Sequence, residues 1–129
     1  MQTKSMLPSL PALLTTDAVT CAVMGGALLV AATALSGVLS LPVGLLREAG
    51  LILLPFAVLL AWAGRPARGD SALVPMLIAG NVAWVIASLA LLTLVAPSPL
   101  GTAFVLTQAV AVAAITVAEA LAWRRARAW

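Results

Sequence analysis

Long apolar stretches without a charged residue dominate the hydrophobic and polar pattern of the chain. Charged side chains are absent from residues 18–46, 49–64 and 71–118. A helix needs roughly 20 apolar residues to cross a bilayer. The first stretch therefore holds one crossing, and the last, at more than twice that length, holds two. The middle stretch is short, but apolar side chains cover all of its faces, which favours a crossing over an amphipathic surface helix. The pattern predicts an all-α, polytopic membrane protein with a bundle of four transmembrane helices.

Proline and glycine residues place the boundaries between these helices. Pro97, Pro99 and Gly101 interrupt the longest apolar stretch, Pro42 ends the first, and the strongly polar connection lies at residues 64–71. Proline removes an amide donor and disfavours helix at the preceding position, so such clusters mark turns. We predict a single transmembrane domain over residues 1–129, with helices at about 12–39, 43–64, 71–96 and 101–124.

The composition agrees with a lipid environment and limits the chemistry. The chain is 64% hydrophobic and 9% charged, whereas a soluble domain spends about a quarter of its residues on charge. It has no histidine, no tyrosine and a single cysteine, Cys21. No disulfide, zinc or iron–sulfur spacing can be built from one cysteine, and no nucleophile–base pair is recognisable. We therefore expect no enzyme, no metal and no cofactor, with Cys21 as a small packing residue.

The positive charge is distributed as in membrane proteins. The net charge is +3, but the basic residues form short clusters beside apolar runs, which argues against a nucleic-acid partner and for the bilayer. With four crossings, one side carries most of the basic residues and the other carries only Arg47. Because basic loops stay in the cytoplasm, we expect both termini there. The residues on the basic side are Lys4, Arg65, Arg68, Arg124, Arg125 and Arg127.

Small residues form stripes on the first two predicted helices and predict close helix packing. Small side chains let backbones approach in lipid, where no hydrophobic force drives helices together. We expect the stripes to pack within the chain, the alternative being an interface with a second copy or a partner subunit. The stripe of the first helix is Ala18, Ala22, Gly26, Thr33 and Gly37, and that of the second is Gly50, Ala57, Ala61 and Gly64.

Polar side chains inside the predicted helices are the candidate site residues, since they are costly in hydrocarbon. One interpretation makes them interhelical hydrogen bonds, with Glu119 pairing with a nearby arginine. The other makes them a polar path in which Asp17 and Glu119 form a proton or ion site. Arg47 and Glu48 form a separate outer charged group, where a lipid or quinone headgroup is a third alternative. The candidates within the membrane are Asp17, Asn81, Trp84, Ser88, Gln108 and Glu119.

Several short segments can be compared with known families: Asp17-Ala18, Leu46-Arg47-Glu48-Ala49-Gly50, Leu54-Pro55-Phe56-Ala57, Ala79-Gly80-Asn81 with Trp84, and Phe104 to Gln108 followed by Glu119. These segments resemble a family of small four-helix bacterial integral membrane proteins that has no characterised activity. This resemblance implies a bacterial inner (plasma) membrane location. In layout only, the chain is also similar to the small multidrug-resistance exporters, but it lacks their mid-membrane glutamate in the first helix. It also lacks the mid-membrane arginine and paired phenylalanines of small fluoride channels.

Two functional hypotheses follow from the sequence. The first, which the small-residue stripes favour, is a non-enzymatic interaction or accessory-subunit module that self-associates or joins a partner membrane subunit. The alternative is a small transporter or channel that uses intramembrane Asp17, Asn81, Gln108 and Glu119. They differ in one observable: whether these side chains only join helices or also meet at a cavity.

Overall fold

Four long helices and one short helix make up the described part of the chain. The structure, a computed structural model, describes residues 9–65 and 72–127. Four helices are long and apolar enough to cross a membrane, which confirms the prediction of an all-α bundle of four apolar helices. The helices are α1 (Leu10–Val30), α2 (Ala32–Leu39), α3 (Val43–Ala63), α4 (Leu73–Leu94) and α5 (Pro99–Arg127).

The first predicted helix is divided in two. Ala31 leaves the helical conformation with φ −108° and ψ 19°, yet its amide still donates to the Ala27 carbonyl at 2.9 Å. A continuous helix over 12–39 would be about 42 Å long, well beyond the roughly 30 Å hydrocarbon core. α1 alone, with 21 residues, is long and apolar enough to cross, and the surplus residues form α2, which packs on both α3 and α5. No proline or glycine lies at the break, so the sequence pattern carried no signal for it.

Two further helix boundaries follow simple capping rules. Ser9 precedes α1, and its hydroxyl accepts a hydrogen bond from the Ala12 amide at 3.3 Å, as an N-cap serine does. α5 begins at Pro99 rather than at residue 101. Proline suits the first helical position because its missing amide donor has no partner there. Pro99 therefore begins α5, whereas Pro97 lies in the turn before it.

The helices form two pairs. α1 packs most extensively against α3, and α4 against α5, whereas contacts between the pairs are fewer. The start of α1 lies beside the end of α3, because Gly64 faces Thr15 and Pro11. We call this the terminal side. Arg65, Arg124 and Arg125 are exposed there, while Lys4 and Arg68 lie outside the described residues.

The backbones of α1 and α3 touch where Gly25 crosses Gly50. A Cβ atom at Gly50 would lie 2.8 Å from the Gly25 carbonyl oxygen, which is too close, whereas a Cβ atom at Gly26 would meet nothing within 4 Å. The predicted stripe on the first helix is therefore wrong by one position, about 100° around the axis. Of its members, Ala18 is buried, but Ala22, Thr33 and Gly37 are exposed.

The turn between α4 and α5 is fastened to the end of α2. The Ser98 amide donates to the Leu39 carbonyl at 3.0 Å, and the Ser98 hydroxyl donates to the Val38 carbonyl at 2.9 Å. A side chain at Gly101 would collide with that Leu39 carbonyl. The two helix pairs are thus joined at the side opposite the termini.

Candidate functional site

Asp17, Asn81 and Glu119 form a hydrogen-bonded group between three helices, which we call the carboxyl cluster. The Asn81 side-chain nitrogen Nδ2 donates to Asp17 Oδ2 at 2.9 Å and to Glu119 Oε1 at 3.2 Å. α1, α4 and α5 each supply one residue. The amide thereby places two carboxyl groups side by side.

The carboxyl cluster is buried at one depth in the bundle. Glu119 is 0% exposed, and Asp17 and Asn81 are each 3% exposed. At 1.5 Å per residue, each lies roughly 10 to 12 Å from the terminal-side end of its helix. In a hydrocarbon core of about 30 Å, this is about a third of the way across. α1 begins at Leu10, so Asp17 is inside the helix and does not flank its start.

No positive charge balances the two carboxyl groups among the described residues. Their hydrogen-bond partners there are Asn81 and the Cys21 thiol, which donates to Asp17 Oδ1 at 3.6 Å. Glu119 Oε2 is buried and has no hydrogen-bond partner in the part of the chain that the structure describes. Two acceptors of one nitrogen are at most roughly 6 Å apart, a distance at which like charges repel strongly in a buried site. The arrangement can hold one proton or a small cation between the carboxyl groups.

Trp84, Ser88 and Gln108 form a second group, the amide cluster, on the side of the carboxyl cluster away from the termini. Trp84 Nε1 donates to Gln108 Oε1 at 2.9 Å, and Gln108 Nε2 donates to Ser88 Oγ at 3.0 Å. The same Nε2 also donates to the Val105 carbonyl at 2.9 Å. The Gln108 amide thus has partners for its oxygen and for its nitrogen, so this group joins α4 to α5.

A cavity of about 470 Å³ lies between the two helix pairs, and we call it the Asp17 cavity. Asp17 lines it, together with Trp84 and Gln108 of the amide cluster. Thr20 of α1 and Thr107 of α5, which are exposed, also line it. The cavity therefore opens between α1 and α5 at the side of the bundle, which is the surface that faces lipid when these helices span a bilayer.

A second cavity of about 210 Å³, the Glu48 cavity, lies farther from the termini. Both cavities are bounded by Met24, Trp84, Phe104 and Gln108, so they adjoin. Glu48 lines this second cavity. Together the two cavities form a cleft between the α1–α3 and α4–α5 pairs.

The structure brings the predicted candidates together in two groups rather than one. Asp17, Asn81 and Glu119 meet in the first, and the other three in the second, while Arg47 and Glu48 are exposed on α3. The predicted pairing of Glu119 with an arginine does not occur among the described residues, where its partner is Asn81.

Sequence reasoning missed two residues of the site. Cys21 donates a hydrogen bond to Asp17, and Phe104 lines both cavities. A signal existed for both, since Cys21 follows Asp17, and Phe104 precedes Gln108, by one helical turn. No group of three or more histidine, cysteine or acidic side chains is placed to hold a metal ion in the described ranges.

Comparisons with known protein families, with curated proteins and with solved structures find no match.

Proposed function

We propose that this chain is a small membrane transporter whose carboxyl cluster is a proton-exchange site. One observation carries the proposal: two buried carboxyl groups share a single amide donor without a cation partner among the described residues. One proton between them removes the repulsion of two buried negative charges. A bound cation would remove it equally well, so the two compete. Such competition is the basis of proton-linked transport.

The contrast between the two clusters supports a functional over a purely structural role. A structural polar group in a membrane protein normally has all of its hydrogen-bond partners. The amide cluster meets that condition at Gln108, but the carboxyl cluster leaves Glu119 Oε2 without a partner among the described residues. The other acid of the cluster, Asp17, lines a cavity. An incompletely satisfied pair of acids, one of which lines a cavity, favours exchange with a solute.

The orientation in the membrane belongs to the same proposal. Three arginines, Arg65, Arg124 and Arg125, are exposed on the terminal side, and basic residues favour the cytoplasm. Both termini then face the cytoplasm, and the family resemblance implies the bacterial inner membrane. The carboxyl cluster lies in the cytoplasmic third of the bilayer under this orientation.

The hypothesis of an interaction or accessory-subunit module rests on the small-residue stripes. Gly50 and Ala57 are buried within the chain, so they are not available to a partner. Ala22 of α1 and Gly37 of α2 face outward, and association with a second copy or a partner membrane subunit through them stays a prediction. Such association is compatible with transport.

Flux in membrane vesicles tests the transporter proposal. Inverted vesicles from cells that produce the chain would be energised to a stable pH gradient and exposed to inorganic cations, organic cations and organic anions. We expect at least one solute to lower the gradient in wild-type vesicles. Asp17→Asn and Glu119→Gln each remove one member of the pair and should abolish that response.

Thr116→Val is the matched control. This substitution removes a buried hydroxyl on α5, one turn from Glu119. The Thr116 hydroxyl donates only within its own helix, to the Val112 carbonyl at 2.6 Å. The control should retain the flux. A folded wild-type chain with no solute-dependent proton flux in any class would contradict the proposal, as would flux that survives both carboxyl substitutions.

A further inference from the structure

The charged residues that line the cleft are all acidic. Asp17 lines the Asp17 cavity and Glu48 lines the Glu48 cavity, and no basic side chain lines either one within the described residues. Apolar and aromatic side chains make up most of the remaining wall. A ligand that matches this surface carries positive charge and an apolar body.

Asp17 has one oxygen available for such a ligand. Its Oδ2 atom accepts the Asn81 hydrogen bond at 2.9 Å, whereas Oδ1 accepts only the weak Cys21 thiol donor at 3.6 Å among the described residues. An ammonium group donates much stronger, charge-assisted hydrogen bonds than a thiol does. An ammonium group would therefore replace the thiol at Oδ1. The hydrogen bond from the Asn81 amide to Oδ2, which joins α1 to α4, would stay in place.

The wall beyond Asp17 suits an alkyl or aryl body. Trp84 and Phe104 lie where the two cavities meet, and aromatic faces attract cations as well as apolar groups. The cavity of about 470 Å³ falls within the range of small-molecule sites, which is about 300 to 1,000 Å³. Its opening between α1 and α5 lies toward the bilayer, where an amphipathic molecule is concentrated.

We propose that the Asp17 cavity binds a hydrophobic organic ammonium cation, taken from the bilayer between α1 and α5, with its nitrogen at Asp17 Oδ1 and its body against Trp84 and Phe104. This inference rests on the proposed function, because it names the class of solute that exchanges with the proton. Binding of one monocation displaces the one shared proton to the bulk water. The charge of the buried site is the same before and after the exchange.

Binding in lipid nanodiscs tests the inference. The full chain in phosphatidylcholine nanodiscs would be equilibrated with radiolabelled decylammonium, and empty nanodiscs would give the partition background. We expect saturable binding, with one proton released per decylammonium bound in weakly buffered medium. Decyl sulfate and decanol, which carry the same chain without the positive charge, should not bind saturably.

Two variants separate the site from the fold. Asp17→Asn should weaken decylammonium binding by about tenfold or more, because the charge-assisted bond is lost. Ala111→Trp changes an exposed residue that lines the Asp17 cavity and should block binding while leaving all three cluster residues in place. Thr116→Val, which does not line the cavity, should bind as wild type does.

The possible results distinguish the two proposals. Binding without proton release would contradict the proton-exchange site but keep the cation site. Absence of saturable decylammonium binding, in a chain that still shows solute-dependent proton flux, would overturn the cation inference alone. Equal binding of decanol or decyl sulfate, or binding unaffected by Ala111→Trp, would also overturn it.

Discussion

At the scale of single residues, Asn81 is the group on which the candidate site depends. Its one nitrogen donates to two carboxyl oxygens on two other helices, so it determines how close those carboxyl groups lie. An aliphatic residue at this position would leave both oxygens buried without a donor. The amide is neutral, however, and cannot balance their charge. In the proposed proton-exchange site, a shared proton does so.

The shared proton can be observed directly. At neutral pH, the infrared spectrum of the reconstituted chain should contain the carbonyl band of a protonated carboxyl group, because two ionised groups at most roughly 6 Å apart repel strongly when buried. The double variant D17N/E119Q should lack that band, and Thr116→Val should retain it. A wild-type spectrum with ionised carboxylates only would mean that the cluster carries no proton.

At the scale of helices, the crossing of Gly25 and Gly50 holds the α1–α3 pair together. The backbones meet there with no side chain between them, and close approach of this kind gives helices in lipid their packing energy. A Cβ atom at the neighbouring residue, Gly26, would have no described atom of another part of the chain within 4 Å. Two adjacent glycines thus occupy opposite situations on one helix.

A pair of alanine substitutions measures that difference. Gly50→Ala places a methyl group 2.8 Å from the Gly25 carbonyl oxygen, so α1 and α3 must separate, and we expect a loss of about 1–3 kcal/mol in the free energy of unfolding. Gly26→Ala should be neutral or stabilising by about 0.5–1 kcal/mol, because alanine has the higher helix propensity. Unfolding in mixed micelles with rising sodium dodecyl sulfate content gives both values. Equal effects of the two substitutions would refute the crossing.

Gly25 and Gly26 show which features of the helices could be predicted from the sequence and which could not. The four long helices could be predicted from the uncharged stretches and the prolines, because a helix needs about 20 apolar residues to cross a bilayer. The contact face of α1 was missed because small residues occur on several faces, and a choice of Gly26 over Gly25 rotates that face by about 100°. The break at Ala31 was missed because no proline or glycine lies there.

At the scale of the whole molecule, two helix pairs are joined at one side and separated by a cleft. The turn at Ser98 binds the end of α2, and the carboxyl cluster bridges the pairs nearer the termini. The spacing of Asn81, Trp84 and Ser88 put them on one face of α4, but it could not tell which helices that face would meet. Their division into two clusters depends on how α1 and α5 pack, which spacing within one helix does not determine.

Labelling of single cysteines tests the orientation. Ala96→Cys lies in the turn before α5 and Ala72→Cys lies just before α4, and both positions are exposed. A membrane-impermeant maleimide added to intact spheroplasts should label Ala96→Cys and should label Ala72→Cys only after permeabilisation. The wild-type chain is the control, because its Cys21 is buried. The reverse pattern would place the termini outside the cytoplasm.

The hydrogen bond between Asn81 and Asp17 has a consequence for biosynthesis. The two residues are 64 positions apart, and Glu119 follows still later, so α1 leaves the ribosome long before its partners exist. An acidic residue in a lone membrane helix costs up to about 3 kcal/mol. We therefore expect the nascent first helix to stay with the insertion machinery, or to carry its proton, until α4 supplies Asn81. A truncated product that ends before Asn81 would retain Asp17 in lipid without its interhelical hydrogen-bond donor.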